Sequence, residues 1–157
     1  GISCAVGMAL SSKHFGSGFN VYTVLGDGEL EEGQVWEAAM FASSKGLSNL
    51  TAFVDNNNLQ IDGTVEEVNS PYPIDKKFEA FGWHTIVIDG HDFDQIEAAL
   101  VEAKTVDKPV CIIANTVKGK GVSYMENQVG WHGSAPNDEL AAKALEELDA
   151  QLNELMA

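Results

Sequence analysis

The stretch Gly26-Asp27-Gly28 places an acid between two glycines, directly after the apolar and β-branched run 21–25. Glycines on both sides of an acid at a strand end let backbone amides approach a phosphate closely. A tight turn with a solvated acid is the alternative, and it is the better interpretation of so short a motif standing alone. A second residue of ligand type is therefore needed before the motif indicates chemistry.

Asn57 is that second residue. It lies 30 residues after Asp27 and follows another buried run, 50–54. A carboxylate and an amide oxygen from two strand ends can meet around one hard cation. Mg²⁺ requires six oxygen ligands in near-ideal octahedral geometry and usually keeps phosphate oxygens among them. Together with one backbone carbonyl, the two side chains predict a magnesium ion that anchors a diphosphate.

Apolar periodicity predicts the elements that carry these residues. Strands are expected at 21–25, 50–54, 84–88 and 109–115, and helices at 2–12, 31–44, 75–81, 92–104 and from about residue 137. Residues 56–73 are expected to form a polar loop. The alternation predicts an α/β fold, a parallel sheet with helices on both faces, within a single domain over residues 1–157. Ligands bind at the carboxyl ends of such strands, so the loops 26–33, 55–63 and 117–133 should meet at one edge.

Four longer segments resemble one enzyme family. They read GDGELEEGQVWEA at 26–38, DNNNLQIDG at 55–63, TVKGKG at 116–121 and WHGSAP at 131–136. In this combination they look like transketolase, and the resemblance covers essentially the whole chain. It implies the thiamine-diphosphate-binding fold of the pyrophosphate domain, with the N-terminal part of that domain missing.

The resemblance also implies a role for each matching residue. Asp27, the side chain of Asn57 and the carbonyl of Leu59 would bind Mg²⁺, for which Ca²⁺ or Mn²⁺ could substitute. The thiamine diphosphate itself would be bound by residues of the same three loops, namely Gly26, Asp27, Gly28, Asn57, Ile61, Lys118 and His132.

The catalytic candidates that the resemblance implies are His132 and Glu32. His132 matches the histidine of a His-Gly-x-Ala-Pro element, which faces the reacting carbon and the substrate; a loop histidine with satisfied hydrogen bonds is the alternative. Glu32, like Glu37, matches acids of a hydrogen-bond network across the subunit interface. His91 is interpreted as structural. Asn58 stands where relatives commonly have glycine, which leaves the path of its loop open.

Composition restricts the partners. Asp and Glu number 24 against 9 Lys and Arg, and the formal net charge of −15 disfavours nucleic acid and anionic membrane as partners. No apolar run is long enough to span a membrane. Cys4 and Cys111 have no metal-like spacing and fit a reducing compartment. A cytoplasmic location is therefore expected.

Transketolase chemistry needs a further domain. The family's glutamate that activates the aminopyrimidine ring belongs to a pyrimidine-binding domain, which these 157 residues do not contain. The chain is therefore interpreted as the N-terminal chain of a split transketolase, truncated at its start. It would transfer a two-carbon ketol unit from a ketose phosphate to an aldose phosphate only with a partner chain that carries the pyrimidine domain, in a homo- or hetero-oligomer. A 1-deoxyxylulose-5-phosphate synthase-like enzyme and a cofactor-binding fragment without chemistry of its own are the alternatives.

Overall fold

The strands of the protein are defined by a computed structural model that describes residues 1–156. In chain order they are β1 (Val21–Gly26), β2 (Leu50–Asn56), β3 (Leu59–Gln60), β4 (Gly63–Thr64), β5 (His84–Asp89) and β6 (Val110–Asn115). Four of them form one parallel sheet in the order β1-β2-β6-β5, while β3 and β4 form a separate antiparallel hairpin. The register pairs Gly26 with Asp55 and Asp55 with Ala114, so the carboxyl ends of three strands lie level with one another.

Helices cover both faces of the sheet, as the sequence predicts. They are α1 (Ile2–Phe15), α2 (Gly33–Ser44), α3 (Val65–Asn69), α4 (Ile74–Ala80), α5 (Phe93–Ala103) and α6 (Asp138–Leu155). Helices α1, α2 and α4 share one core cluster with the sheet, and α5 contributes to a second cluster on the opposite face. Among the helices described, none combines the length and apolarity that crossing a membrane requires.

The larger core lies beneath α1, α2 and α4. Small residues on α2, such as Ala39 and Ala42, let this helix approach the sheet closely, and both are fully buried. Trp83 packs in the same cluster and donates its indole N–H to the carbonyl of Ala39 at 2.8 Å. Cys111 of β6 is also fully buried there, and burial raises the pKa of its thiol, whereas Cys4 on α1 is exposed.

The second core is smaller and leaves part of the sheet open. It joins α5 to β5 and β6, with Phe53 of β2 packed against it. Side chains alternate along a strand, so Tyr22 and Val24 of β1 lie on the face opposite to the buried Val21 and Leu25. Tyr22 is 47% and Val24 69% exposed. The edge strand β1 therefore presents apolar side chains that no described helix covers.

Two stretches differ from the sequence prediction. The helix expected at 31–44 begins at Gly33, because a separate 3₁₀ turn occupies Gly28–Glu31. The polar loop expected at 56–73 contains the β3–β4 hairpin and α3. Thr64 caps α3 by accepting a hydrogen bond from the N–H of Glu67 at 3.2 Å. These short elements form because neighbouring residues fix them, and such context leaves little trace in hydrophobic periodicity.

Helix α6 confirms the predicted C-terminal helix, and Asn137 caps it through the N–H of Leu140 at 2.9 Å. No residue of this helix is buried. It rests on the loop after β6, where the Tyr124 hydroxyl donates to the carbonyl of Leu140 at 2.7 Å and Ser123 bonds to Glu147. The helix thus supports the loop that carries the predicted residues Lys118 and His132.

Candidate functional site

The loops after β1, β2 and β6 surround a cavity of about 360 Å³. All three loops contribute, as expected for ligand sites at the carboxyl ends of parallel strands. The cavity brings together every residue predicted for the site except Glu32. Its lining residues are Gly26, Asp27, Gly28, Glu29, Asp55, Asn57, Leu59, Gln60, Ile61, Lys118 and His132.

Asp27 occupies the base of this cavity and is only 2% exposed. One carboxylate oxygen accepts the N–H of Gly28 at 2.9 Å, and the other accepts the N–H of Asn58 at 2.5 Å. Burial raises the pKa of Asp27, and the neighbouring Asp55 adds to the rise, while backbone hydrogen bonds from Asn58, Gly28 and Asn57 oppose it. A buried carboxylate in this position is destabilised in its charged form, and a cation beside it would offset that cost.

Asn57, directly after β2, and Leu59, the first residue of β3, line the same cavity as Asp27. The side-chain oxygen of Asn57 accepts the N–H of Leu59 at 3.0 Å. Asn58 between them has φ 59°, in the left-handed region that glycine favours and asparagine tolerates. The loop can therefore take a path that suits glycine even though this chain has asparagine there.

This donor set suits a hard cation. A carboxylate or amide oxygen has more than one lone pair, so the oxygens of Asp27 and Asn57 keep acceptor capacity beyond the bonds described. Within residues 1–156, no three His, Cys, Asp or Glu side chains cluster in a way that could hold a metal. A cation here would thus depend on amide, carbonyl and phosphate oxygens beside Asp27, the mixture that Mg²⁺ accepts.

Gly28 is the residue whose backbone amide is expected to contact a diphosphate. In this structure its N–H donates to Asp27. A Cβ at Gly28 would lie 3.3 Å from the Cβ of Gln60, so the absence of a side chain lets the β3–β4 hairpin approach. Gln60 in turn donates to Glu31 at 2.6 Å. The glycine therefore shapes the cavity, and its contact with a diphosphate stays a prediction.

Lys118 and His132 meet on the opposite side of the cavity. The Lys118 Nζ lies 3.3 Å from Nδ1 of His132. An ammonium group donates and never accepts, so Nδ1 is the acceptor and the proton of the neutral ring sits on Nε2. Trp131, next to His132, donates its indole N–H to the carbonyl of Tyr124 at 3.0 Å and packs edge-to-face on that ring.

Two predicted residues lie elsewhere. Glu32 is exposed at the start of α2, and Glu37 is on the same helix, one turn further along. Neither lines the cavity. Their expected place at a subunit interface stays a prediction. Ile61, by contrast, is at the rim of the cavity with 71% of its surface exposed.

Asp55 belongs to the site, although the sequence prediction gives it no role. It lines the cavity, and its carboxylate accepts the hydroxyl of Thr116. The same two residues also line a neighbouring cavity of about 420 Å³, together with His91. A signal is present in the sequence, since Asp55 directly follows the apolar run 50–54 at a strand end.

A family model described as "Transketolase, thiamine diphosphate binding domain" matches residues 1–153. The chain is 45% identical over 152 residues to the 6-deoxy-6-sulfo-D-fructose transketolase subunit SqwG of Clostridium sp. (strain MSTE9). The aligned stretch covers 96% of this chain and 55% of that protein. It is 38% identical over 159 residues to one of the apulose-4-phosphate transketolase subunits of Phocaeicola vulgatus, covering 99% of this chain and 56% of the relative. The chain thus spans about half the length of these curated relatives.

Two longer proteins named transketolase are similar to the chain over a smaller share of their length. Human transketolase is 40% identical over 156 residues, which cover 97% of this chain and 24% of the human protein. The crystal structure of the Campylobacter jejuni transketolase superposes with a TM-score of 0.89 at 34% identity, covering 94% of this chain and 24% of that one.

Proposed function

The chain belongs to the transketolase thiamine diphosphate-binding family, and from this premise we propose that it forms the diphosphate- and metal-binding side of a transketolase active site, with residues 1–157 as part of one domain. The reaction is the transfer of a two-carbon ketol unit from a ketose phosphate to an aldose phosphate. One observation carries the proposal. A single cavity collects the buried carboxylate of Asp27, the oxygen of Asn57 and the pair Lys118–His132.

Asp27, Asn57 and the carbonyl of Leu59 would hold Mg²⁺ in this proposal. The buried Asp27 supports it, because burial disfavours the charged carboxylate and a divalent cation would stabilise that charge. Diphosphate oxygens would complete the coordination. Because the metal bound by Asp27 would also bind the diphosphate, loss of Asp27 would weaken the binding of both metal and cofactor. Gly26, Gly28 and Ile61 shape the space around the cofactor.

Lys118 provides the positive charge that a diphosphate needs in a protein of net charge −15. Its ammonium lies within the cavity and fixes the tautomer of His132, whose Nε2–H is left to donate to a substrate oxygen. Thiamine diphosphate supplies the nucleophilic carbon of the two-carbon transfer when it is bound. The role of His132 is to hold and stabilise substrate oxygen as charge develops on it.

A partner that carries the pyrimidine-binding domain would complete the site. Two relatives have names that describe transketolase subunits, which supports a split arrangement. Glu32 at the start of α2 and Glu37 one turn further along are exposed and available to such an interface, where Glu32 would join the hydrogen bonds that activate the cofactor. Sugar phosphates are the proposed substrates, and the cytoplasm is the proposed location.

The test is an assay of the enzyme assembled from the full-length protein and its pyrimidine-domain partner. With a ketose phosphate donor and an aldose phosphate acceptor, we expect ketol transfer that depends on added thiamine diphosphate and Mg²⁺. His132→Ala should lower kcat by about 10²–10³-fold, the loss typical of one donor to a developing negative charge, and should change cofactor affinity far less. His14→Ala, at an exposed position on α1, is the control. A wild-type assembly without ketol transfer would overturn the proposal, as would one that forms 1-deoxyxylulose 5-phosphate when pyruvate replaces the ketose phosphate.

A further inference from the structure

His91 lies in the turn between β5 and α5 and has no role in the proposed reaction. Its exposed side chain reaches the loop after β6, where Nε2 accepts the backbone N–H of Val117 at 2.8 Å. A ring nitrogen accepts a hydrogen bond only when it carries no proton, so the proton of this imidazole sits on Nδ1. The histidine thus holds the residue that directly precedes Lys118.

The start of this loop is also held from β2, but at a different residue. The hydroxyl of Thr116 donates to Asp55, and its N–H donates to the carbonyl of Asn56 at 3.1 Å. These bonds bind Thr116 and leave the next peptide group, the N–H of Val117, to His91. The direction in which the chain leaves β6 toward Lys118 therefore depends on the histidine.

The turn that carries His91 packs against the carboxyl end of β6. Gly90 donates its N–H to the carbonyl of Asn115 at 2.8 Å, and the N–H of His91 donates to Asp89 at 2.9 Å. A Cβ at Gly90 would lie only 2.5 Å from Cγ2 of Thr116, so only glycine allows this close approach. The end of β6 and the loop that follows it thus fix both the backbone of this turn and the imidazole ring of His91.

We propose that His91 is a positioning residue, which keeps the ammonium group of Lys118 in the diphosphate cavity by accepting the hydrogen bond from Val117. The importance of Lys118 rests on the proposed function, whereas the hydrogen bond does not. In this role His91 acts through the backbone and touches neither cofactor nor substrate.

Amide hydrogen exchange of the chain tests the hydrogen bond without any assay of activity. In His91→Leu, the amide of Val117 should exchange about twofold to tenfold faster, the effect of losing one hydrogen bond of ordinary strength. His91→Gln should retain slow exchange, because its side-chain oxygen can replace Nε2 as the acceptor. His14→Leu removes an exposed histidine on α1 and should leave Val117 unchanged. Equal exchange in wild type and His91→Leu would overturn the proposal.

A double-mutant cycle in the assembled enzyme tests whether the effect runs through Lys118. His91→Leu should raise the thiamine diphosphate concentration for half-maximal activity by about twofold to tenfold, as expected from the same lost hydrogen bond, and His91→Gln should restore it. In a Lys118→Met background the same substitution should change it less than twofold. Equal effects in both backgrounds would show a general structural role and overturn the proposal. A wild-type enzyme without ketol transfer would instead refute the proposed function, while the exchange result would stand.

Discussion

At the scale of the residue, Asp27 combines nearly complete burial with a carboxylate whose pKa is raised. Asp27→Ala should lower Mg²⁺-dependent thiamine diphosphate affinity by more than the roughly 10–100-fold that loss of a residue behind a metal ligand costs. Asp27→Asn should weaken binding less, since one oxygen remains while the charge is lost. Cofactor titrations with and without Mg²⁺ measure this difference in the assembled enzyme.

Folding must be checked beside this titration. The alanine variant leaves the N–H groups of Gly28 and Asn58 without their acceptor, at about 1–3 kcal/mol for each buried group that stays unpaired. Binding is therefore to be compared well below the unfolding temperature of each variant. Equal cofactor affinity in wild type and in folded Asp27→Ala would remove this residue from the metal site.

The residues of the site differ in how far the sequence alone predicts them. Asp27 and Asn57 could be predicted from physics, because strand ends and oxygen ligands suffice to bring them together. Lys118 and His132 came only from the family resemblance, since a lysine and a histidine 14 residues apart in a loop have no fixed distance. The role of His91 could not be foreseen, because its hydrogen bond joins two turns 26 residues apart.

At the scale of the element, the β5–α5 turn depends on Gly90. Gly90→Ala places a Cβ 3.0 Å from that of Ala114 and even closer to Thr116, and crowding of this kind costs about 1–3 kcal/mol. For a chain of this size the unfolding temperature should fall by roughly 2–4 °C for each kcal/mol. Thermal unfolding followed by circular dichroism measures the change.

The matched control is Gly7→Ala on α1, where a Cβ would meet no atom within 4 Å. Alanine is favoured over glycine in a helix interior by about 0.5–1 kcal/mol, so this variant should unfold at a slightly higher temperature than wild type. A Gly90→Ala variant as stable as Gly7→Ala would show that the turn can move away from β6.

Elements with their own hydrophobic pattern were predicted well, and those without it were not. The runs 21–25 and 50–54 are rich in apolar and β-branched residues, and they indicated β1 and β2 directly. The hairpin β3–β4 has two residues per strand, too few for a period to be seen. Its position follows from the Asn57–Leu59 hydrogen bond and from the space above Gly28.

At the scale of the whole molecule, the uncovered side of β1 favours self-association and the net charge opposes it. Tyr22 and Val24 favour association of the isolated chain through apolar burial, while the charge of −15 opposes it. The purified chain should therefore self-associate, and more so as salt screens the repulsion. Size-exclusion chromatography with light scattering at two salt concentrations measures this.

Val24→Lys should shift the chain toward the monomer, because it places a charge within the apolar surface. Val101→Lys is the control, since Val101 is exposed on α5, outside this surface. A chain that stays monomeric at every salt concentration, or one that responds equally to both substitutions, would show that β1 is not where the copies meet.

The two cysteines make it possible to measure how often the native structure opens. Cys4 is open to solvent, so a thiol reagent should modify it first, whereas Cys111 lies in an inner strand of the sheet and keeps its proton. Modification of Cys111 then has to wait until β6 separates from its neighbours, and its rate reports how often the native structure opens. The second modification, followed by mass spectrometry, should be faster in Gly90→Ala than in wild type, and slower once ligands bind the folded chain.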